Sequence, residues 1–177
     1  MSPIATRFPR HESLKEFFLM RVAVLTISDS VTKGEREDLS GPAVVAFCRG
    51  LGWEITSALH VSDDPASIRE QLRAVADSGR VDVLLTTGGT GIGPRDNTPE
   101  ATQAVADLIA PGLPEEMRRK GLEKTPTAIL SRGTAAVRTK TLIVNLPGSP
   151  KGAVESLEAV AHLLPHAVKV LHGARHD

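Results

Sequence analysis

Apolar and polar positions fall into alternating blocks along this chain. Val22–Ile27 (Val-Ala-Val-Leu-Thr-Ile) is a short, nearly continuous apolar run. That is the pattern of a strand covered on both faces. Trp53 to Val61 and Val81 to Thr86 are two more strand-like runs. Helical patterns separate them. Ser40-Gly41-Pro42 opens the first, with Val44, Cys48 and Leu51 at helical spacing on one face and Gly50 and Gly52 near its end. Asp64 and Pro65 open the second, the aspartate as cap and the proline at the first helical position. Its apolar face is Ile68, Leu72 and Val75, and Gly79 follows it. Strand, helix, strand, helix, strand implies parallel strands joined by crossovers, the α/β class.

The second half is organised differently. Thr98-Pro99 starts a helix with Ala101, Val105, Leu108 and Ile109 inward, stopped by Pro111-Gly112, and Leu113 to Lys124 reads as another. Ala135 to Asn145 reads as a hairpin or paired strands around Arg138-Thr-Lys140. A last helical stretch, about Lys151 to Leu164, places Ala153, Leu157, Val160 and Leu164 on one face; Pro165 should kink it or split it from a tail helix ending near Gly173. Residues 1–20 show no clear periodicity and read as an arm or an extra short helix. Residues 21–177 contain no internal repeat, no low-complexity tract and no linker, and are expected to form one domain.

Composition narrows the classes. Lys plus Arg and Asp plus Glu are both 21, so the net charge is zero and no electrostatic case exists for a nucleic-acid coat or a polybasic membrane anchor. Aromatics are 3% with no tyrosine, which argues against a base-stacking platform. A single cysteine, Cys48, rules out an internal disulfide and fits a reducing compartment. Near the N-terminus the apolar run is only Phe17–Met20, too short for a secretory segment, and no run is long enough to span a membrane. The expectation is a soluble, cytoplasmic protein.

The candidate chemistry lies where the strands end. The first three run into Ser28-Asp29-Ser30, Ser62-Asp63-Asp64 and Thr86–Gly91 (Thr-Thr-Gly-Gly-Thr-Gly). In an open parallel sheet the carboxyl ends share one edge, and ligands bind there. Asp29, Asp63 and the glycine loop should therefore meet in space, and the segment Asn145–Pro150 joins them if its strand is parallel. Glycines at 88, 89, 91 and 93 permit positive φ and close approach, and successive N–H groups there suit phosphate oxygens. The loop is neither a Walker A motif nor a dinucleotide fingerprint, since it reads GxGxG. A merely tight, unliganded turn is the competing reading. Arg95 suits a phosphate and Asp96 a magnesium ion, against a local salt bridge plus cap. Three carboxylates (Asp29, Asp63, Asp96) beside one anion make sense mainly with a divalent cation between them.

Taken together, Thr86–Gly91 followed by Pro94-Arg95-Asp96 and Thr98-Pro99-Glu100 resembles the MoaB/Mog family of molybdenum-cofactor biosynthesis, related to the G domain of gephyrin. Pro111–Glu115, Ala128–Arg132 and Asn145–Pro150 resemble its later motifs in order and spacing, so that the likeness covers about Arg21 to Gly173. The resemblance implies a three-layer α/β sandwich with a mostly parallel sheet, assembled as a homotrimer or, in some members, a hexamer. It implies transfer of AMP from MgATP to molybdopterin with release of pyrophosphate, with Mg²⁺ as cofactor and other cofactor-biosynthesis proteins as further partners. It makes Asp63 and Asp96 the catalytic and magnesium-holding residues, and Gly88, Gly89, Thr90 and Gly91 the phosphate loop. Asp29 and Ser30 match its first-strand motif; Glu115, Ser131, Arg132, Pro147, Gly148 and Ser149 match further pocket positions.

Other readings stay beside this one. A MoaB-like protein could bind molybdopterin without transferring AMP. A nucleotide-processing domain of the competence-damage type shares the fold and the loop, but such chains carry a long C-terminal extension. Cys48 reads as a packed core thiol, and Ser131 and Ser149 as ligand-bonding hydroxyls without a base. Lys151 is either a phosphate contact or a solvated helix start. His162/His166 and His172/His176 have metal-ligand spacing but read as surface histidines.

Overall fold

The computed structural model describes residues 19–173, so the arm expected over residues 1–20, but for Leu19 and Met20, and His176 lie outside the described residues. Strands β1 (Arg21–Ile27), β2 (Glu54–Val61), β3 (Val83–Thr87), β4 (Leu108–Ile109), β5 (Ala135–Arg138) and β6 (Thr141–Leu146) form one sheet in the order β2-β1-β3-β6-β5-β4. β2, β1, β3 and β6 run parallel, and β5 is antiparallel to both of its neighbours. The fourth apolar run is therefore parallel, and its trailing loop joins the edge where β1, β2 and β3 end.

The period of two in β1 divides the core. Val22 and Val24 face one layer of helices, α2 (Ser40–Gly50), α5 (Gly112–Leu122), α6 (Pro150–Val160) and α7 (Leu164–Leu171); Ala23, Leu25 and Ile27 face the other, α3 (Pro65–Ala76) and α4 (Thr98–Val105). Helix, sheet and helix make three layers, an α/β sandwich with a mostly parallel sheet. Asp64 caps α3 by accepting the Ser67 N–H (2.8 Å), with Pro65 at the helix start as the sequence implies. Pro165 splits the C-terminal helical stretch: α6 ends at Val160, a 3-10 turn covers Ala161–Leu163, and α7 begins at Leu164.

Two expectations give way, and two short elements are new. Leu108 and Ile109 are not the inward face of a helix. α4 stops at Val105 because the next backbone is extended and pairs with β5, Asp107 N–H donating to the Val137 carbonyl (2.8 Å) and Ala110 N–H to that of Ala135 (2.8 Å). Both side chains are exposed at the edge of the sheet. Leu51 lies one residue beyond α2 and is also exposed, so the inner face of that helix is Val44 and Cys48. A short helix, α1 (Asp29–Thr32), capped by Ser28, and a 3-10 turn over Pro126–Leu130 do not follow from the pattern; both are too short for a period to register.

Asp82, fully buried, ties the start of the sheet to its last helix. Its Oδ1 accepts from Arg21 Nη2 (2.8 Å) and lies 3.2 Å from His172 Nε2, and its Oδ2 accepts the Arg21 backbone N–H (2.8 Å). Burial pushes this carboxyl up, but the Arg21 guanidinium and N–H outweigh it and leave the group below its ordinary value. A depressed folded-state pKa means that the stabilisation is whole above the unfolded-state value, about 3.9, and is lost as pH falls through the lower folded value. Melting temperature followed from pH 7 downward should accordingly hold until about pH 4 and then decline. A flat acid limb would contradict the assignment.

Candidate functional site

The parallel register brings four loops to one edge. Ile27 pairs with Val61, Thr26 with Thr87, and Thr87 with Leu146, so Ser28, Ser62, Gly88 and Pro147 leave the sheet side by side. The first two loops are laced together by their aspartates. Asp29 N–H donates to Asp63 Oδ2 and Asp63 N–H donates to Asp29 Oδ1, each at 2.9 Å. Arg95 pairs with the remaining oxygen of Asp29, and Asn97 Nδ2 donates to the Asp63 carbonyl (3.1 Å). The Asp63 N–H, and after the opposing pull of burial the Arg95 guanidinium, hold the Asp29 carboxyl below the usual carboxylate range.

The glycine loop is shaped by contacts that exclude a Cβ. Gly88 has φ +106°, and a Cβ there would lie 2.3 Å from the Ile27 carbonyl oxygen; Gly89 has φ +64° and would meet Thr98 Oγ1 at 2.4 Å. Thr98 closes the turn, its hydroxyl donating to the Gly88 carbonyl (2.9 Å) and its N–H to that of Gly89 (3.1 Å). Gly91 and Gly93 are different from the expectation, since neither has positive φ. Their need is space: the Asp96 carboxylate accepts the Gly93 N–H (2.8 Å), and a Cβ at Gly91 would stand 2.7 Å from it. The N–H groups of Gly89, Thr90 and Gly91 donate to no protein acceptor among the described residues.

Arg132 fastens the loop. Its N–H donates to the Thr90 carbonyl (2.8 Å), its Nε to the Gly91 carbonyl (2.7 Å) and its Nη2 to the Asp96 backbone carbonyl (2.6 Å), while Nη1 pairs with Glu100. Behind it the buried Asn145 donates to Thr86 and Thr102 hydroxyls (both 3.0 Å) and accepts the Thr134 N–H (3.2 Å). Arg95, which the sequence offers to a phosphate, and Arg132, one of the further pocket positions, are thus both engaged with carboxylates. Of the local salt bridge and cap weighed for Arg95 and Asp96, the structure has the bridge, made across two loops to Asp29, but no cap: the Asp96 carboxylate accepts the Gly93 N–H, and α4 begins without a side-chain cap.

Two clefts flank the loop. One, of about 820 Å³, is lined by Thr90, Gly91, Ser131 and Pro147 together with apolar Met117 and Leu130. The other, about 510 Å³, is lined by Thr87, Gly88, Gly89, Asp63, Ser28 and Arg36. Gly148 and Ser149 line both, and Ser149 also caps α6 by accepting the Gly152 N–H (3.1 Å). Asp29, Ser30, Arg95, Asp96, Glu115 and Arg132 line neither cleft, and Glu115 is exposed on α5. Arg36 is the residue that sequence reasoning missed: within the charged run Lys33–Asp38 it carries no pattern that separates it from a solvated loop. Among the described residues no three His, Cys, Asp or Glu side chains gather as a metal cluster. The trio of aspartates is therefore a pair plus one, with Asp96 under Gly91 and Gly93 rather than beside Asp29. Cys48 is fully buried, and burial pushes its thiol up to about 12, as a core thiol requires.

Comparison with known proteins shows the family and the fold. A family model described as "Probable molybdopterin binding domain" matches residues 23–166. A molybdopterin adenylyltransferase from Helicobacter pylori is 42% identical over 159 residues, 87% of this chain and 89% of its own length. One from Escherichia coli is 40% identical over 144 residues, 80% of this chain and 73% of its own length. The crystal structure of the molybdopterin biosynthesis enzyme MoaB from Thermus thermophilus superposes with a TM-score of 0.82 at 51% identity, covering 88% of this chain and 98% of that one. A glycine turn fastened by Thr98 and Arg132, the flanking pair of clefts and a match over most of the sheet lead to one conclusion: this chain belongs to the MoaB/Mog family of molybdopterin-binding domains.

Proposed function

We propose that this chain is a molybdopterin adenylyltransferase of molybdenum cofactor biosynthesis, taking ATP and molybdopterin as substrates. The observation that carries the reading is the turn itself: three consecutive N–H groups, Gly89 to Gly91, with no acceptor among the described residues, stand between two clefts that share Gly148 and Ser149. One polyanion in each cleft would meet its neighbour there. The larger, more apolar cleft suits the pterin, and the second suits the triphosphate.

In the transfer, an oxygen of the terminal phosphate of molybdopterin attacks the α-phosphorus of ATP. The bond from that phosphorus to the β-phosphate oxygen breaks and pyrophosphate leaves with its electron pair. The attacking oxygen is already anionic at neutral pH, so the transfer needs no general base. What this chain contributes is position and field. The N–H groups of Gly89 to Gly91 face charge on the reacting phosphate, and Arg132 keeps the turn in shape. Asp63 commits one oxygen to the Asp29 N–H and has its other for the second cleft. One free carboxylate oxygen with phosphate oxygens and water is an ordinary donor set for Mg²⁺, so the residues fit the ion carried with ATP. Asp63 would hold it, with Asp96 supporting from the loop, and when bound it neutralises phosphate charge. The resemblance extends to a cytoplasmic homotrimer, for which exposed Leu108 and Ile109 on β4 offer apolar surface. No helix among the described residues is long and apolar enough to cross a membrane.

The test is a discontinuous assay of the purified chain with molybdopterin and MgATP, following pyrophosphate and adenylylated molybdopterin. Both should appear in equal amounts and only with both substrates. Tight binding of molybdopterin with neither product would assign the chain to the binding protein without transfer.

A further inference from the structure

The second cleft contains a charge problem that the loop does not solve. Its ionisable lining residues are Asp63, Glu37 and Arg36, two carboxylates and one guanidinium, yet the reading above places a triphosphate there. Neither Arg95 nor Arg132 lines it, and both are already paired. The Arg36 side chain, by contrast, makes no hydrogen bond or ion pair with any described residue. It is an uncommitted cation on the wall of a cleft whose other ionisable side chains are carboxylates.

Its backbone is held at both ends. Glu35 and Arg36 N–H groups both donate to the Ser30 carbonyl (2.9 and 3.2 Å), closing a turn in which Gly34 takes φ +71°. Two residues on, the Asp38 carboxylate accepts from Thr26 Oγ1 (2.7 Å) and the Gly41 N–H (3.0 Å), and lies 3.0 Å from His60 Nε2. The packing around Asp38 is close enough that a Cβ on Gly41 would stand 2.4 Å from it. The loop thus reaches the cleft from fixed points on β1, β2 and α2.

We propose that Arg36 is a phosphate-binding residue that grips the β- and γ-phosphates of the nucleoside triphosphate, the portion released as pyrophosphate. This rests on the transferase reading. An in-line displacement sends the leaving group away from the nucleophile. The nucleophile arrives from the larger cleft, across Gly148 and Ser149, which line both. Arg36 lines only the second cleft, on the leaving side. A guanidinium fork on two phosphate oxygens is the geometry for which arginine is suited and lysine only partly so.

The experiment titrates the full chain and its Arg36→Ala and Arg36→Lys variants with ATP, AMP and pyrophosphate in magnesium buffer, and measures kcat and KM for ATP. Arg36→Ala should weaken ATP and pyrophosphate by about tenfold, the scale of one solvent-facing charged hydrogen bond. AMP should change by less than about twofold, and Arg36→Lys should recover part of the loss. The melting temperature should not move, since the side chain has no hydrogen-bond or ion-pair partner among the described residues. Wild-type affinity of Arg36→Ala for ATP and pyrophosphate, in a chain that still transfers AMP, would overturn the role of Arg36 and leave the transferase reading intact. Equal weakening of AMP and ATP would overturn the assignment to the leaving phosphates. A wild-type chain that binds no nucleotide would overturn both.

Discussion

Asp63→Asn is expected to lower the rate of adenylyl transfer by about 10²–10⁴-fold, the range for losing a charge-stabilising group at a reacting phosphate. The fold should hardly notice. Asp63 Oδ2 accepts the Asp29 N–H, and the asparagine carbonyl can take that bond over. What asparagine cannot supply is the second anionic oxygen; it puts an N–H₂ group in the cleft instead. Melting temperature should therefore shift by no more than a few degrees while turnover collapses. Asp96→Asn is the companion. Its carboxylate receives the Gly93 N–H, again a bond that an amide oxygen can accept, so any loss in turnover measures charge and not loop geometry. If both aspartates were only loop fasteners, both variants would turn over near the wild-type rate, and the catalytic assignment would fall.

Gly88→Ala should be the more destructive substitution. The residue combines φ +106° with an ideal Cβ position 2.3 Å from the Ile27 carbonyl oxygen, a rigid backbone atom at the end of β1. Left-handed strain alone costs about 1–3 kcal/mol, and the clash adds to it by forcing β1 and the turn after β3 apart. Gly148 packs on the other side, with its own ideal Cβ position 3.3 Å from the Gly88 Cα, so the turn has no free direction. Loss of about 2–4 kcal/mol of stability is expected together with loss of binding in both clefts. Chemical denaturation alongside nucleotide titration measures both. Gly91→Ala provides the contrast: its φ is unstrained and the neighbour is the Asp96 side chain, which can move. A Gly88→Ala chain as stable as wild type and still binding ATP would contradict the shape derived for this turn.

The contrast between these glycines shows where sequence reading stops. The buried runs of β1, β3 and β6 are legible because full coverage removes alternation, and α3 because Asp64 and Pro65 start it unambiguously. Their order in the chain then dictates that Asp29, Asp63 and Gly88 meet. What the pattern cannot carry is the partner of each charged group. Arg95 looks like a phosphate ligand and Arg132 like a pocket residue in one dimension, yet Asp29 and Glu100 engage them across separations of 66 and 32 residues. Arg36, in an unpatterned charged loop, is the one left facing a cleft. Leu108 and Ile109 fit a helical spacing equally well, and only the vacant edge of β5 decides for a strand.

Gly148 and Ser149, lining both clefts, bear on what happens after the reaction. In the arrangement proposed above, each substrate occupies one side of that shared wall and can leave on its own. The adenylylated product is a single molecule with an anchor on each side, so when one anchor lets go the other keeps it within reach, at a high effective concentration for rebinding. Departure then requires both to open together, so on the proposed reading product release is expected to be slower than loss of either substrate, which single-turnover against steady-state rates would show.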